Sequence, residues 1–265
     1  LVSAIVKATP TLSIEQRGAA RIIRVHRPEA RNALDSSTLA SIAEQATCAG
    51  SDRSVRVLII TGSDKVFVAG GDLKEFGALK GRTGGQAVAR KGRAMIKALR
   101  AAGVPVVAAI DADAYGGGCE LAAACDLRIA SQNARFHWVQ NALAVTTGWG
   151  ATERLVSLVG EGTAARWLLA AQSVSAEQAH AHGFVDILST TRSALDTAVE
   201  WSDSVSKIAE EITRLQLALL RGVHNPQRVR AARKEREAFA SSWAHPAHEQ
   251  AVKKFMDRAA NGAKR

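Results

Sequence analysis

The run Pro105-Val106-Val107-Ala108-Ala109-Ile110, followed within six residues by Gly116-Gly117-Gly118-Cys119-Glu120-Leu121, constrains the fold more than any other stretch of the chain. It reads as a buried strand that feeds a glycine turn opening a helix. Free backbone N–H groups and the carboxylate of Glu120 then meet at one helix N-terminus, a place able to hold a developing oxyanion.

A second segment repeats the pattern. Val57-Leu58-Ile59-Ile60 is an apolar run closed by Thr61-Gly62, and Phe67-Val68-Ala69-Gly70-Gly71-Asp72-Leu73-Lys74-Glu75-Phe76 follows it. Asp72 is placed to cap the new helix, with Glu75 as the matching third residue of a capping-box-like pair. Two such strand–turn–helix units can aim two N–H donors at a single carbonyl oxygen, the geometry that enolate chemistry needs.

On these residues the chain resembles the crotonase, or enoyl-CoA hydratase/isomerase, superfamily. The matching segments are His26-Arg27-Pro28-Glu29-Ala30-Arg31-Asn32-Ala33-Leu34, the Ala69-Gly70-Gly71-Asp72 turn and the stretch from Gly116 to Asp126. Weaker matches run through Ala134-Arg135-Phe136 to Thr152-Glu153-Arg154-Leu155, and again from Glu249 to Arg258. The resemblance implies an α/β fold, a crotonase-type ββα spiral core with a C-terminal helical region, and an acyl-CoA whose thioester carbonyl binds between the N–H of Ala69 and that of Gly117. Small residues there, Gly70 and Gly116 included, let a substrate approach the backbone closely. Taken singly, either glycine motif is more often a tight turn or a packing device; the pair in this order favours a site.

The resemblance makes Glu120 the proton-transfer residue. In family members that hydrate enoyl-CoA a second glutamate usually follows twenty positions later, in a segment resembling Gln-Pro-Glu; here that position holds Gln140. Hydration needs an activated water and a proton for the α carbon, and two carboxylates share or divide those tasks. A glutamine amide can orient a water but cannot take up a proton at neutral pH. Three readings stay open: a hydratase or isomerase with Glu120 as sole acid/base, a decarboxylase of a malonyl-type acyl-CoA, and a catalytically silent acyl-CoA-binding homologue. Thr146-Thr147-Gly148-Trp149-Gly150 looks more like the Ser-Trp-Gly loop of short-chain acyl-CoA decarboxylases in the superfamily than like the usual Pro-Gly-Ala-Gly-Gly.

Neighbouring residues have plainer readings. His137 and Trp138 alternate with their neighbours as strand residues packing in a sheet do. Tyr115 reads as a buried tyrosine with a bonded hydroxyl, and Asp113 as an exposed turn aspartate. Cys48, Cys119 and Cys125 show no metal-ligand spacing and read as small buried residues of a reduced compartment. No metal and no redox cofactor is expected, coenzyme A entering as part of the substrate.

The longest apolar run is far short of a membrane span, and positions 1–12 have too short an apolar stretch for a signal sequence, so a soluble cytoplasmic protein is expected with no membrane partner. The formal charge of +10 raises the question of nucleic acid. The basic residues are scattered, however, and the densest group, Arg228 to Arg236, is interleaved as a solvated helix face would be. One Tyr and few aromatics also argue against a base-stacking surface. Coenzyme A phosphates account for local basic patches, with Arg27, Arg31 and Lys74 as candidate contacts and Asp72 close by.

Strands are expected at 11–15, 21–26, 55–60, 106–110 and 127–130, and a first helix at 36–49. The alternation argues for parallel strands in a core spanning 1–188. Residues 189–265 read as a helical region, with helices at 193–221, 227–240 and 247–260 broken near Asn225-Pro226 and His245-Pro246. Ile208, Ile212, Leu215 and Leu219 form an apolar stripe on the first of them. The resemblance implies that such a tail packs on the core or on a neighbouring subunit, in a homotrimer or a dimer of trimers.

Overall fold

The structure is a computed structural model and describes residues 3–8, 10–63, 65–221 and 226–262. The chain opens with antiparallel strands β1 (Ser3–Ala8), β2 (Leu12–Arg17) and β3 (Ala20–Val25), followed by α1 (Ser36–Ser51). Then a unit recurs in which one strand joins a large sheet, the next joins a small sheet, and a helix follows. The first turn is β4 (Val57–Gly62), β5 (Val66–Val68), the short α2 (Leu73–Phe76) and α3 (Gly81–Ala101). The second is β6 (Val106–Ile110), β7 (Asp113–Tyr115) and α4 (Gly117–Ala124). The third is β8 (Leu127–Ser131), β9 (Arg135–His137), α5 (Ala151–Val159) and α6 (Glu161–Leu169). After β10 (Ser173–Ser175), α7 (Ala176–Ala181) and β11 (Ile187–Ser189) come α8 (Ala194–Ser206), α9 (Glu210–Arg221), α10 (Pro226–Trp243) and α11 (Pro246–Gly262).

The large sheet has the order β1-β2-β3-β4-β6-β8-β11 and the small one β10-β9-β7-β5. This is the expected ββα spiral. The unbroken apolar character of β4 and β6 has its cause here, because both strands are covered on both faces. Leu58, Ile60, Val106 and Ala108 face the main core; Val57, Ile59, Val107 and Ala109 face a second layer completed by Ala194, Leu195, Ala198 and Val199 of α8.

Two expectations need correction. The helix expected over 193–221 is two helices, α8 and α9. Neither Gly nor Pro marks the break; Arg56, just before β4, donates to the carbonyls of Ser206 (3.4 Å) and Ile208 (2.7 Å), satisfying the end of α8 from outside. The four strands of the small sheet have three residues each, too short to show a period; β5, β7 and β10 were absent from the sequence expectation, and the alternation read around His137 and Trp138 is strand only as far as His137, in β9. Asn225 and the side chains of 228–234 lie outside the described residues. No helix among the described residues is long and apolar enough to cross a membrane.

Candidate active site

Strands β5 and β7 are parallel neighbours, with Val68 opposite Ala114. Parallel neighbours release their chains at the same end, so the loop entering α2 and the turn entering α4 lie side by side. The contact is close: a Cβ on Gly70 would lie 3.1 Å from the Gly117 nitrogen, and one on Gly118 would lie 2.1 Å from the Val68 oxygen. Gly70 (φ +98°) and Gly116 (φ +48°) also adopt backbone conformations that favour glycine. The amides of Ala69 and Gly117 have no hydrogen-bond partner among the described residues.

The segment from His26 to Leu34 braces this arrangement from behind. Asn32 donates to the carbonyls of Ser63 (2.9 Å) and Val66 (2.6 Å) and accepts from the Arg27 amide (2.8 Å). Leu34 bonds across to the 70–72 turn through Leu34 N to Gly70 O (2.8 Å) and Asp72 N to Leu34 O (3.0 Å). Arg27 donates to Asp72 (2.9 Å) and to the Ala33 carbonyl (2.5 Å). Arg27 and Asp72 thus tie loop to turn, where the sequence alone suggests a phosphate contact for Arg27. Arg31 and Lys74 are exposed, Arg31 lying over the Tyr115 ring at 4.8 Å.

Asp72 caps α2 by accepting from Lys74 N at 2.9 Å, but the capping box does not close. The α2 helix is a single turn, and the Glu75 carboxylate instead accepts from the Ser36 amide (3.0 Å) and hydroxyl at the start of α1. The unsatisfied amides of that longer helix are the competing partner.

Ala69, Gly70, Gly71, Gly116, Gly117, Glu120 and Gln140 share the walls of a cavity of about 90 Å³, closed by Trp149, Phe239 and Trp243. Glu120 is buried, and its carboxylate accepts from Trp149 N (2.8 Å), Gly148 N (3.3 Å) and Gln140 Nε2 (3.3 Å). Burial, and then the nearby charge of Glu235, push the Glu120 carboxyl up to about 8, against the pull of those three donors. The other side-chain atom of Gln140, Oε1, is buried and has no hydrogen-bond partner among the described residues.

Trp149 sits where three glycines leave room. A Cβ on Gly92 or Gly117 would fall 2.2 Å or 2.6 Å from its indole, and one on Gly71 would be 3.4 Å away. Gly92 lies inside α3, where glycine costs about 1 kcal/mol relative to Ala. That unexplained mid-helix glycine was the available signal for the slot.

The neighbours resolve unevenly. Trp138 is core, stacked on Trp167 at 6.5 Å and meeting Phe184 edge-on at 5.7 Å. Tyr115 is half-buried and donates to Asp113 (2.9 Å), as expected of a bonded hydroxyl. Asp113 is no isolated turn residue: it lies in β7 and also faces His137 Nε2 at 3.2 Å, while His137 stacks on Tyr115 at 4.2 Å. Cys119 and Cys125 are buried, and burial pushes both thiols up, far from nucleophilic character; Cys48 is exposed, contrary to expectation, because it sits on the outer face of α1.

A ββα spiral with these features places the chain in a known class. It belongs to the enoyl-CoA hydratase/isomerase family, whose model matches residues 15–262. It is 34% identical to a crotonyl-CoA hydratase of Syntrophomonas wolfei, over 95% of this chain and 96% of that protein. A short-chain-enoyl-CoA hydratase of Clostridium acetobutylicum is 33% identical, over 92% of this chain and 94% of its own length. The crystal structure of an enoyl-CoA hydratase from Bacillus anthracis superposes with a TM-score of 0.77 at 27% identity, covering 85% of this chain and 90% of the other. The protein is therefore an acyl-CoA-processing enzyme of the hydratase/isomerase type.

Proposed function

We propose that the enzyme binds a short-chain enoyl-CoA, gathers enolate charge on the amides of Ala69 and Gly117, and moves protons with Glu120 alone. The observation that carries this is two unpartnered amides on one small cavity with one buried carboxyl. A cavity of about 90 Å³ is small, which suits a short acyl group. Arg31, exposed over the Tyr115 ring, and Lys74, exposed on α2, are the proposed phosphate contacts, and Gly70 and Gly116 allow the thioester close to the main chain.

In the proposed hydration, the Glu120 carboxylate takes a proton from water as the water oxygen bonds to the β carbon. The double-bond electrons move onto the thioester oxygen, held by the two N–H groups, and Glu120 returns its proton to the α carbon. The free Oε1 of Gln140 orients the water, in place of the second glutamate of hydrating relatives.

The reaction starts from ionised Glu120, so crotonyl-CoA hydration, followed by loss of enoyl absorbance, is expected to rise with pH and level off above about 8. No hydration at any pH would overturn the reading. Because Glu120 holds its proton at neutral pH, a second reading has support: a malonyl-type acyl-CoA loses carbon dioxide, its bond electrons forming the enolate, and Glu120 protonates the α carbon. That activity would fall above about pH 8, the opposite slope, and carbon dioxide release would report it.

The reading includes assembly and setting. Ile208, just ahead of α9, and Ile212, Leu215, Leu219 and Leu220 on it are all more than half exposed, apolar surface of the kind that a partner covers. A neighbouring copy in a homotrimer or dimer of trimers supplies it. Ile212→Glu with Leu219→Glu is expected to lower the mass seen by light scattering while the far-ultraviolet spectrum is kept; an unchanged mass would place the subunit interface elsewhere. Three free cysteines agree with a reduced, cytoplasmic setting.

A further inference from the structure

Glu120 has a second face. Behind Trp149 lies a larger cavity, of about 830 Å³, walled by α3, α4, α5 and α10, and Glu120 and Glu235 both line it. The two carboxylates are far apart in sequence yet dock on three consecutive amides: Gly148 and Trp149 donate to Glu120, and Gly150 donates to Glu235 Oε1 at 3.3 Å. Glu235 is 8% exposed, and its other oxygen, Oε2, is buried without a hydrogen-bond partner among the described residues. Arg93 Nη1 stands 3.5 Å from that oxygen, at ion-pair range but without hydrogen-bond geometry.

We propose that Glu235 is a positioning residue for the Glu120 proton: helix α10 brings the site a second carboxylate, from the opposite side to Gln140, and the shared 148–150 loop couples its charge to Glu120. The inference rests on the proposed role of Glu120. It has support in the rise of Glu120 to about 8, in which the Glu235 charge ranks next after burial. A like charge at close range holds a proton on its neighbour.

Other charged groups face the same space. Helix α3 contributes Arg90, Lys97 and Arg100 beside Arg93, and α5 contributes Glu153 and Arg154. Arg236 and Glu237 flank Glu235 on α10. Arg100 is bound to Asp126 at 2.8 Å and Arg154 to the Ala123 carbonyl at 3.1 Å. The cations oppose the effect of Glu235, yet among the described residues Arg93 is the one recorded at ion-pair distance from it. The chain thus keeps two carboxylates at its centre, with the second raising the proton affinity of the first.

The test is the pH midpoint of Glu120, read without substrate as the protonated-carboxyl infrared band of the wild type that is missing from Glu120→Gln. It is expected near 8 in the wild type, to fall by about one pH unit or more in Glu235→Gln, and to stay in place in Glu235→Asp. A wild-type band that titrates in the ordinary carboxylate range overturns the inference even if Glu235→Gln does not fold. So does a Glu235→Gln enzyme whose midpoint is unmoved, since that is what a merely structural glutamate gives. With acyl-CoA, kcat should carry the same midpoint. If no acyl-CoA is turned over, the proposed reaction fails, while the infrared titration still decides the role of Glu235.

Discussion

Glu120→Gln is expected to lower turnover by about 10²–10⁴-fold and, unusually for an inactivating change, to stabilise the protein at alkaline pH. The native carboxyl keeps its proton up to about 8, whereas the unfolded one releases it near 4.5. Between those values the native state binds more protons, so wild-type stability declines as pH rises through the window and is flat again above it. Glutamine carries no such titration, and its single amide oxygen can still accept from the Trp149 N–H, the shorter of the two bonds. Melting curves at pH 4 and pH 8.5 check this. The variant should match the wild type at pH 4 and exceed it by about 5 °C or more at pH 8.5. A variant that loses turnover and melts lower at pH 8.5 would show that the Glu120 carboxylate is stabilised, not penalised, by its surroundings.

Trp149→Ala carries the second large effect. The indole is 4% exposed and fills the slot left by Gly71, Gly92 and Gly117, so removing it is expected to cost about 3–5 kcal/mol. It also lines both the 90 Å³ and the 830 Å³ cavities. Without it the two spaces join, and acyl-CoAs longer than crotonyl should gain in kcat/KM relative to crotonyl-CoA. Denaturant unfolding and an acyl-length series measure the two parts. Unchanged length preference would mean that Phe239 and Trp243, not Trp149, limit the chamber.

Much of the path to the site was legible in the chain. Pro105 to Ile110 announces a doubly covered strand because its neighbours in the sheet are themselves apolar and parallel, and the glycines after it have no other economical use than a tight turn into a helix. The Asp72 cap depends on neighbours two residues away and was readable for that reason. What depended on distant partners was not. Glu75 had two sets of helix-end amides within reach, and the longer helix won. The carbonyls at the break between α8 and α9 are satisfied by Arg56, which nothing near positions 207–209 reveals. Gln140 could be placed near Glu120 from the chain, but Glu235 comes from a tail helix whose docking against α3 no local pattern fixes. The Trp149 slot is similar: each glycine is ordinary alone, and only the fold brings three of them around one ring.

The central claim is that the amides of Ala69 and Gly117 together hold the thioester oxygen. Infrared difference spectra of bound crotonyl-CoA, with the thioester carbonyl isotopically labelled, measure this at the bond concerned. A carbonyl stretch displaced to lower frequency than in free crotonyl-CoA is the expected result, since two donors draw charge onto the oxygen. A carbonyl that absorbs in the bound state as it does in water would contradict it.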